Sequence, residues 1–205
     1  MLFASLDTET SGLIPRDTPK GDHSWPFIVQ VGCELFTLDG VVRSSFCDTI
    51  RPDGRRISSG ATAVHGISSQ QADREGMSEL CAMAVLAQYT ARAKAVICYN
   101  SPFDIQVIES SLMLMGKDTR MVIRPGLVVI DIIQPCAQLC KIPTEHPSNT
   151  HRYPKLDVAC ETILGEKPRE GAHNALKDAE RVRRLFLYLW EKDMIPEKKL
   201  LEPQA

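Results

Sequence analysis

A chain of 205 residues, 43% of them hydrophobic and 24% charged, has the length of one domain and enough apolar side chains for a sizeable core. No apolar run reaches membrane-spanning length, and Met1-Leu2-Phe3-Ala4 lacks the basic leader of a signal peptide, so neither a membrane nor a secreted role is expected. The net charge of −2 gives no global attraction to nucleic acid, so a basic surface for such a partner has to be local.

Leu2 to Leu6 is a short apolar run that reads as a buried strand ending in Asp7, followed by a loop over Ile14 to Pro26. Phe27 to Leu38 and Val41 to Ile50 are two β-rich runs joined through Asp39-Gly40, a strong hairpin signal. Ser78 caps a helix to Ala93, and Ala95 to Tyr99 is a second buried strand. Ser101-Pro102 opens a helix to Met115, with proline in the first turn. Leu127 to Ile133 contains a strand followed by a short helical piece, and Lys141 to Pro154 is a polar loop. Leu156 to Leu164 is a short helix, and Ala172 to Trp190 is the longest, with apolar positions at 175, 176, 179, 182, 185, 186 and 189. The tail after Ile195 reads as loosely held, which leaves residues 1–192 as one domain and 193–205 as a C-terminal tail. A hairpin followed by alternating helices and strands predicts an α/β fold, a mixed sheet with helices on its faces.

The seven cysteines form no C-x-x-C pair and read as reduced thiols, mostly core filler, which implies a cytoplasmic address. Candidate basic patches are Arg51, Arg55 and Arg56, the segment with His151, Arg152 and Lys155, and the run Arg181, Arg183 and Arg184. The last alternates with core-facing helix positions and reads as a solvated face.

Asp7 and Glu9 sit two apart at a strand end, so their carboxylates point the same way. Two such groups repel, and a hard divalent cation between them would offset that repulsion. Asp104 lies one turn into a helix on the face of Val107, Ile108 and Leu112. Taken locally, Ser101-Pro102-Phe103-Asp104 fits a capping box better than a functional carboxylate. His173 and Asp178, five apart, are separated by about 500° on a helix. They reach one site only if His173 lies in the loop or first turn and bends inward, as Gly171 would permit.

Taken together, these segments are more specific. Asp7-Thr8-Glu9-Thr10-Ser11-Gly12-Leu13, Asn100-Ser101-Pro102-Phe103-Asp104 and His173-Asn174-Ala175-Leu176-Lys177-Asp178-Ala179 occur in that order. Ala63-Val64-His65-Gly66-Ile67 and Pro154-Lys155-Leu156-Asp157 accompany them. This set resembles the motifs of the DnaQ-like (DEDDh) 3′→5′ exonuclease superfamily, which includes polymerase proofreading subunits, and the likeness runs from about Leu2 to Trp190. The resemblance implies an RNase H-like fold with the carboxylates gathered at one end of a central mixed sheet. It implies Asp7, Glu9, Asp104, His173 and Asp178 as catalytic residues. Two Mg²⁺ or Mn²⁺ ions would be held by Asp7, Glu9, Asp104 and Asp178, with His173 as general base. Thr10, Leu13, His65, Asn100 and Phe103 are the expected neighbours of the terminal nucleotide.

Nucleic acid is the partner the resemblance implies, with a polymerase or repair assembly as a further class. DNA is preferred because Asp-Thr-Glu-Thr-Ser-Gly-Leu is similar to the deoxyribonuclease branches. The alternatives are an exoribonuclease of the RNase T or oligoribonuclease kind and a non-catalytic end-binding module. The second is disfavoured because all five catalytic residues are present.

Overall fold

The computed structural model describes residues 1–145, 150–167 and 170–201; positions 146–149 of the polar loop and 202–205 of the tail lie outside the described residues. The apolar start of the chain forms β1 (Phe3–Thr10), which is longer than the expected Leu2–Leu6 run. It continues through its polar half because β2 (Ile28–Phe36) pairs with it antiparallel along its length, Asp7 opposite Gly32 and Glu9 opposite Gln30. Both expected hairpin runs form strands, β2 and β3 (Val42–Thr49). With β4 (Ala95–Cys98) and β5 (Val128–Asp131) they make a five-stranded sheet of order β3-β2-β1-β4-β5. The hairpin side is antiparallel, while β1, β4 and β5 run parallel, as expected of a mixed sheet.

Strand alternation sends successive side chains to opposite faces, and each face has its own core. On one face Leu6, Val31, Leu35 and Val96 meet Leu86 of α3 (Glu79–Arg92) and Ile108 and Leu112 of α4 (Ser101–Leu114). On the other, Phe3, Phe36, Ile97 and Ile130 pack against Cys136 of α5 (Ile133–Cys140), Cys160 of α6 (Leu156–Leu164) and Leu185, Phe186 and Leu189 of α7 (Ala175–Glu191). Phe3, Phe36, Phe186 and Trp190 form an aromatic group with ring centroids 5.5–5.9 Å apart. All seven cysteines are free thiols, and Cys33, Cys98, Cys136 and Cys160 are buried, as core filler should be.

Three expectations need correction. Two short helices between β3 and α3, α1 (Ser59–His65) and α2 (Ser69–Glu75), were absent from the sequence reading. At seven residues each they are too short to show a hydrophobic period, and their local signals are the capping serines Ser58 and Ser68 and, for α1, the left-handed Gly66 at its end. Helix α7 starts at Ala175, three residues later than the periodicity suggests, because Asn174 caps it: its side-chain oxygen accepts from Lys177 N–H at 3.1 Å. The chain after Ile195 is docked as far as Leu201: the short α8 (Lys198–Leu201) follows, and Ile195 and Leu201 are buried beside α7. Among the described residues, no helix is long and apolar enough to cross a membrane.

Candidate active site

Asp7 and Glu9 lie on the β1 face that α7 covers, two residues apart, with Asp7 half-buried and Glu9 buried. Across the β1–β2 pairing their neighbours are Gly32 and Gln30. Gly32 explains how α7 comes so near: a Cβ there would stand 2.3 Å from the Ala175 carbonyl carbon and 2.3 Å from the Leu176 nitrogen. The first turn of α7 thus rests on bare backbone beside Asp7 and brings in Asp178, which is buried. His173 lies in the loop before α7, not on it, and its backbone N–H donates to Val64 O at 3.0 Å. Gly171, at φ +86°, supplies the left-handed turn that brings the loop round. The His173 ring consequently bends inward, its Nδ1 3.4 Å from Asp178 Oδ2, while the side chain stays 41% exposed.

Ligand-capable atoms of Glu9, His173 and Asp178 all lie within 4.8 Å of one another. Among the described residues these three form a group that could hold a cation; Asp7 precedes Glu9 by two residues on the same face of β1, while Asp104 comes from the helix on the opposite face of the sheet. Asp104 is not the cap that its local sequence suggested. Helix α4 starts from Asn100 in the left-handed region (φ 68°) without a side-chain cap of its own. Asp131, at the end of β5, does the capping: it accepts from Asn100 N–H and Ser101 N–H, each at 3.0 Å. Released from that duty, Asp104 reaches 96 residues back along the chain and accepts from Thr8 N–H at 3.0 Å and Thr8 Oγ1 at 2.7 Å. Beyond Ser5 the pairing of β1 with β4 ends, and this side chain takes up the Thr8 N–H instead. Burial pushes the Asp104 carboxyl up from its ordinary 3.8 to about 7 against the pull of the Thr8 bonds, and the neighbouring Asp131 charge adds to the rise.

A cleft of about 490 Å³ opens beside these groups, lined by Glu9, Thr10, Leu13, His65 and Phe103 among others. Four of the five residues expected beside a terminal nucleotide are therefore placed together, and Leu13 stands 86% exposed at the rim. Asn100 is not among the lining residues; its part is the backbone turn that opens α4. His65 closes α1 and is buried, its Nδ1 accepting from Ile67 N–H at 3.1 Å and its Nε2 shut off from solvent. Burial lowers its pKa and the nearby His173 acts the same way, against an opposing interaction with the Thr10 backbone. With Nδ1 accepting, the neutral ring carries its proton on Nε2.

Across Gly12 and Leu13 a second cleft of about 310 Å³ is lined by His23, Trp25, Phe27, Arg55 and Arg56. Arg55 lies 4.1 Å over the Phe27 ring and donates to Glu79 Oε2 at 2.7 Å, which holds its guanidinium still. Of the other basic candidates, Arg51 pairs with exposed Asp53. The segment of His151, Arg152 and Lys155 sits near the end of β4, where Tyr99 OH donates to Pro154 O at 2.8 Å. The run on α7 is not a solvated face. Arg181 pairs with Asp157 and Glu166, Arg183 with Glu34 and Arg184 with Glu166, and the Arg181 and Arg183 side chains are only 15% and 14% exposed.

Sequence reasoning missed the positioning roles of Thr8 and Asn174, which lie inside the motif segments, and of Asp131, Gly32 and Gln30, which lie outside them. The glycine and glutamine inside an otherwise apolar strand were the available signal.

The profile of a protein family described as "Exonuclease" matches residues 5–186. Among curated proteins, the chain is 26% identical over 192 residues to a "DNA polymerase III subunit epsilon-like protein" of Rhodobacter capsulatus, a match covering 92% of this chain and 24% of that protein. The chain therefore spans about a quarter of that relative's length. Among solved structures, E. coli exonuclease I in complex with a dT13 oligonucleotide superposes with a TM-score of 0.73 at 18% identity, over 98% of this chain and 42% of that one. The nuclease domain of 3′hExo, a DEDDh family member bound to rAMP, gives 0.69 at 17% identity over 96% of both chains. With a family profile spanning most of its length and this architecture, the chain belongs to the exonuclease family, as a DnaQ-like member with an RNase H-like fold.

Proposed function

We propose that the protein is a divalent-metal-dependent 3′→5′ exonuclease that trims nucleotides singly from a DNA end as nucleoside 5′-monophosphates. The observation that carries this reading is the meeting of Glu9, His173 and Asp178 within 4.8 Å, with Glu9 also lining the Leu13–Phe103 cleft. The donor set fits Mg²⁺ or Mn²⁺: carboxylate oxygens crowded at one strand end suit hard cations. Asp7, Glu9 and Asp178 would be the direct ligands, and Asp104, aimed by Thr8, would serve a second ion. When bound, such ions supply the positive charge that acidifies water and offsets charge on the phosphate oxygens.

The chain's own groups do the rest. His173, with Nδ1 toward Asp178, has Nε2 to take the proton of the attacking water, a task suited to imidazole near neutral pH. His65, buried in the wall of the cleft, would stand beside the terminal nucleotide. Leu13 and Phe103 hold the last base by apolar contact, which tolerates any sequence. Upstream, the strand runs over Leu13 into the cleft of Arg55 and Arg56, whose charge suits phosphate. The Asp-Thr-Glu-Thr motif and the name of the polymerase-subunit-like relative support DNA as substrate and a polymerase or repair assembly as partner. Seven free thiols suit the reducing cytoplasm.

Product analysis on matched single- and double-stranded DNA and RNA tests this reading. We expect 5′-monophosphates from 3′ ends, only with Mg²⁺ or Mn²⁺, and faster from DNA. Faster trimming of RNA would move the substrate to the ribonuclease branch. Internal cuts, trimming from the 5′ end or nucleoside 3′-monophosphates would overturn the reading.

A further inference from the structure

Three of the elements around the site meet at one side chain outside the motifs. Gln30 is buried on β2 directly opposite Glu9, on the face where α7 begins. Its Oε1 accepts from Ala175 N–H at 3.0 Å and from Asn174 Nδ2 at 3.1 Å. A backbone N–H can only donate, so this contact fixes which end of the Gln30 amide faces the helix. The other end, Nε2, faces Thr49 Oγ1 on β3 at 3.4 Å.

The first N–H groups of a helix have no partner within it. Here Asn174 satisfies Lys177 through its own oxygen, and Gln30 satisfies Ala175, the first helical residue. One acceptor thus holds both the cap and the first turn, while Gly32 removes the side chain that would lift that turn from the sheet. The residues flanking the held pair are the functional ones, His173 immediately before Asn174 and Asp178 one turn after it. Asp178 N–H donates to Asn174 O at 2.9 Å, so moving Asn174 moves Asp178.

We propose that Gln30, over the bare floor at Gly32, is a positioning residue that pins the first turn of α7 so that Asp178 and His173 meet Glu9. This rests on the metal-dependent reading of the site given above. A partner that orients ligands in this way typically contributes about 10–100-fold to metal affinity or activity when removed.

Gln30→Met keeps the length and removes the acceptor; Gln30→Glu keeps the acceptor. Leu189→Ala, at the far end of α7, serves as a destabilised control. The readouts are amide hydrogen exchange of residues 175–178 in metal-free protein, Mn²⁺ affinity by calorimetry, and kcat and KM on thymidine 5′-p-nitrophenyl phosphate. In Gln30→Met we expect faster exchange of the first turn, Mn²⁺ affinity weakened by about 10–100-fold, and kcat lowered more than KM is raised. Gln30→Glu should recover amide protection and affinity, and Leu189→Ala should lower the melting temperature without changing Mn²⁺ affinity. Wild-type exchange and affinity in Gln30→Met would overturn the proposal, as would equal losses of affinity in Leu189→Ala. If the wild type neither binds Mn²⁺ nor hydrolyses the ester, the nuclease reading fails, and the exchange data alone decide the pin.

Discussion

From Val182 to Leu189, α7 is held mainly by apolar burial: Val182, Leu185, Phe186 and Leu189 are fully buried against Phe3, Phe36 and their neighbours, with the Arg183–Glu34 and Arg184–Glu166 pairs along the flanks. At its other end the first turn is held by polar contacts with defined directions, Gln30 to Ala175 and Asn174, and Asn174 to Lys177. Burial is non-directional and tolerates shifts of part of an ångström, whereas hydrogen bonds of this kind fix an orientation. The same helix is therefore attached for stability at one end and aimed for chemistry at the other. Mutations at the two ends should separate accordingly.

The largest effect should come from the aimed end. His173→Ala removes a half-exposed ring, so the fold should hold, while turnover falls by about 10²–10⁴-fold, the usual share of a general base. Mn²⁺ affinity should be largely kept, and raising the pH should recover part of the lost rate by supplying hydroxide. Loss of metal affinity in parallel with activity would place His173 among the ligands, as its inclusion in the Glu9–Asp178 group allows.

The packed end should answer in stability instead. Leu189→Ala removes a fully buried side chain and should cost about 2–5 kcal/mol, read by denaturant unfolding. Cation affinity should stay at the wild-type value at temperatures where the variant is folded. A drop in affinity of the same size as in a first-turn variant would erase the distinction between the two ends.

How far the sequence reveals each end follows from the same contrast. Apolar periodicity marks Val182, Leu185, Phe186 and Leu189 directly, so the packed end and the strands beneath it were readable. The carboxylates were readable as motifs, and the inward bend of His173 followed from helix geometry. What holds them in place was not. Asp131 caps α4 from 30 residues away along the chain, and Thr8 pairs with Asp104 across 96. Such pairings are set by tertiary contacts and leave no local pattern, which is why the sequence immediately around Asp104 reads as a capping box. The helices α1 and α2 were lost for the opposite reason, being too short for any period to appear.

A smaller effect concerns Asp104, the carboxylate contributed from the opposite face of the sheet. Folded, it keeps its proton up to about pH 7; unfolded, it releases it near its ordinary 3.8. Between these values the unfolded state binds fewer protons than the folded one, so this group makes stability fall as pH rises through that window. Asp104→Asn keeps an acceptor for Thr8 and removes the titration. In chelator, its melting temperature should therefore exceed that of the wild type at pH 8, with the gap closing toward pH 4. An equal pH dependence in both proteins would show that Asp104 is not buried with a raised pKa.

The most direct test of the central claim, that β1 and the first turn of α7 together form a cation-dependent hydrolytic site, is hydrolysis of thymidine 5′-p-nitrophenyl phosphate. This substrate fills the terminal-nucleotide cleft without needing the strand upstream. Release of nitrophenolate is measured for the wild type with Mn²⁺, for the wild type in chelator, and for Asp178→Ala with Mn²⁺. The account predicts turnover in the first case and none above background in the other two, with Asp178→Ala still folded. Turnover that persists in chelator, or that survives the loss of Asp178, would contradict it.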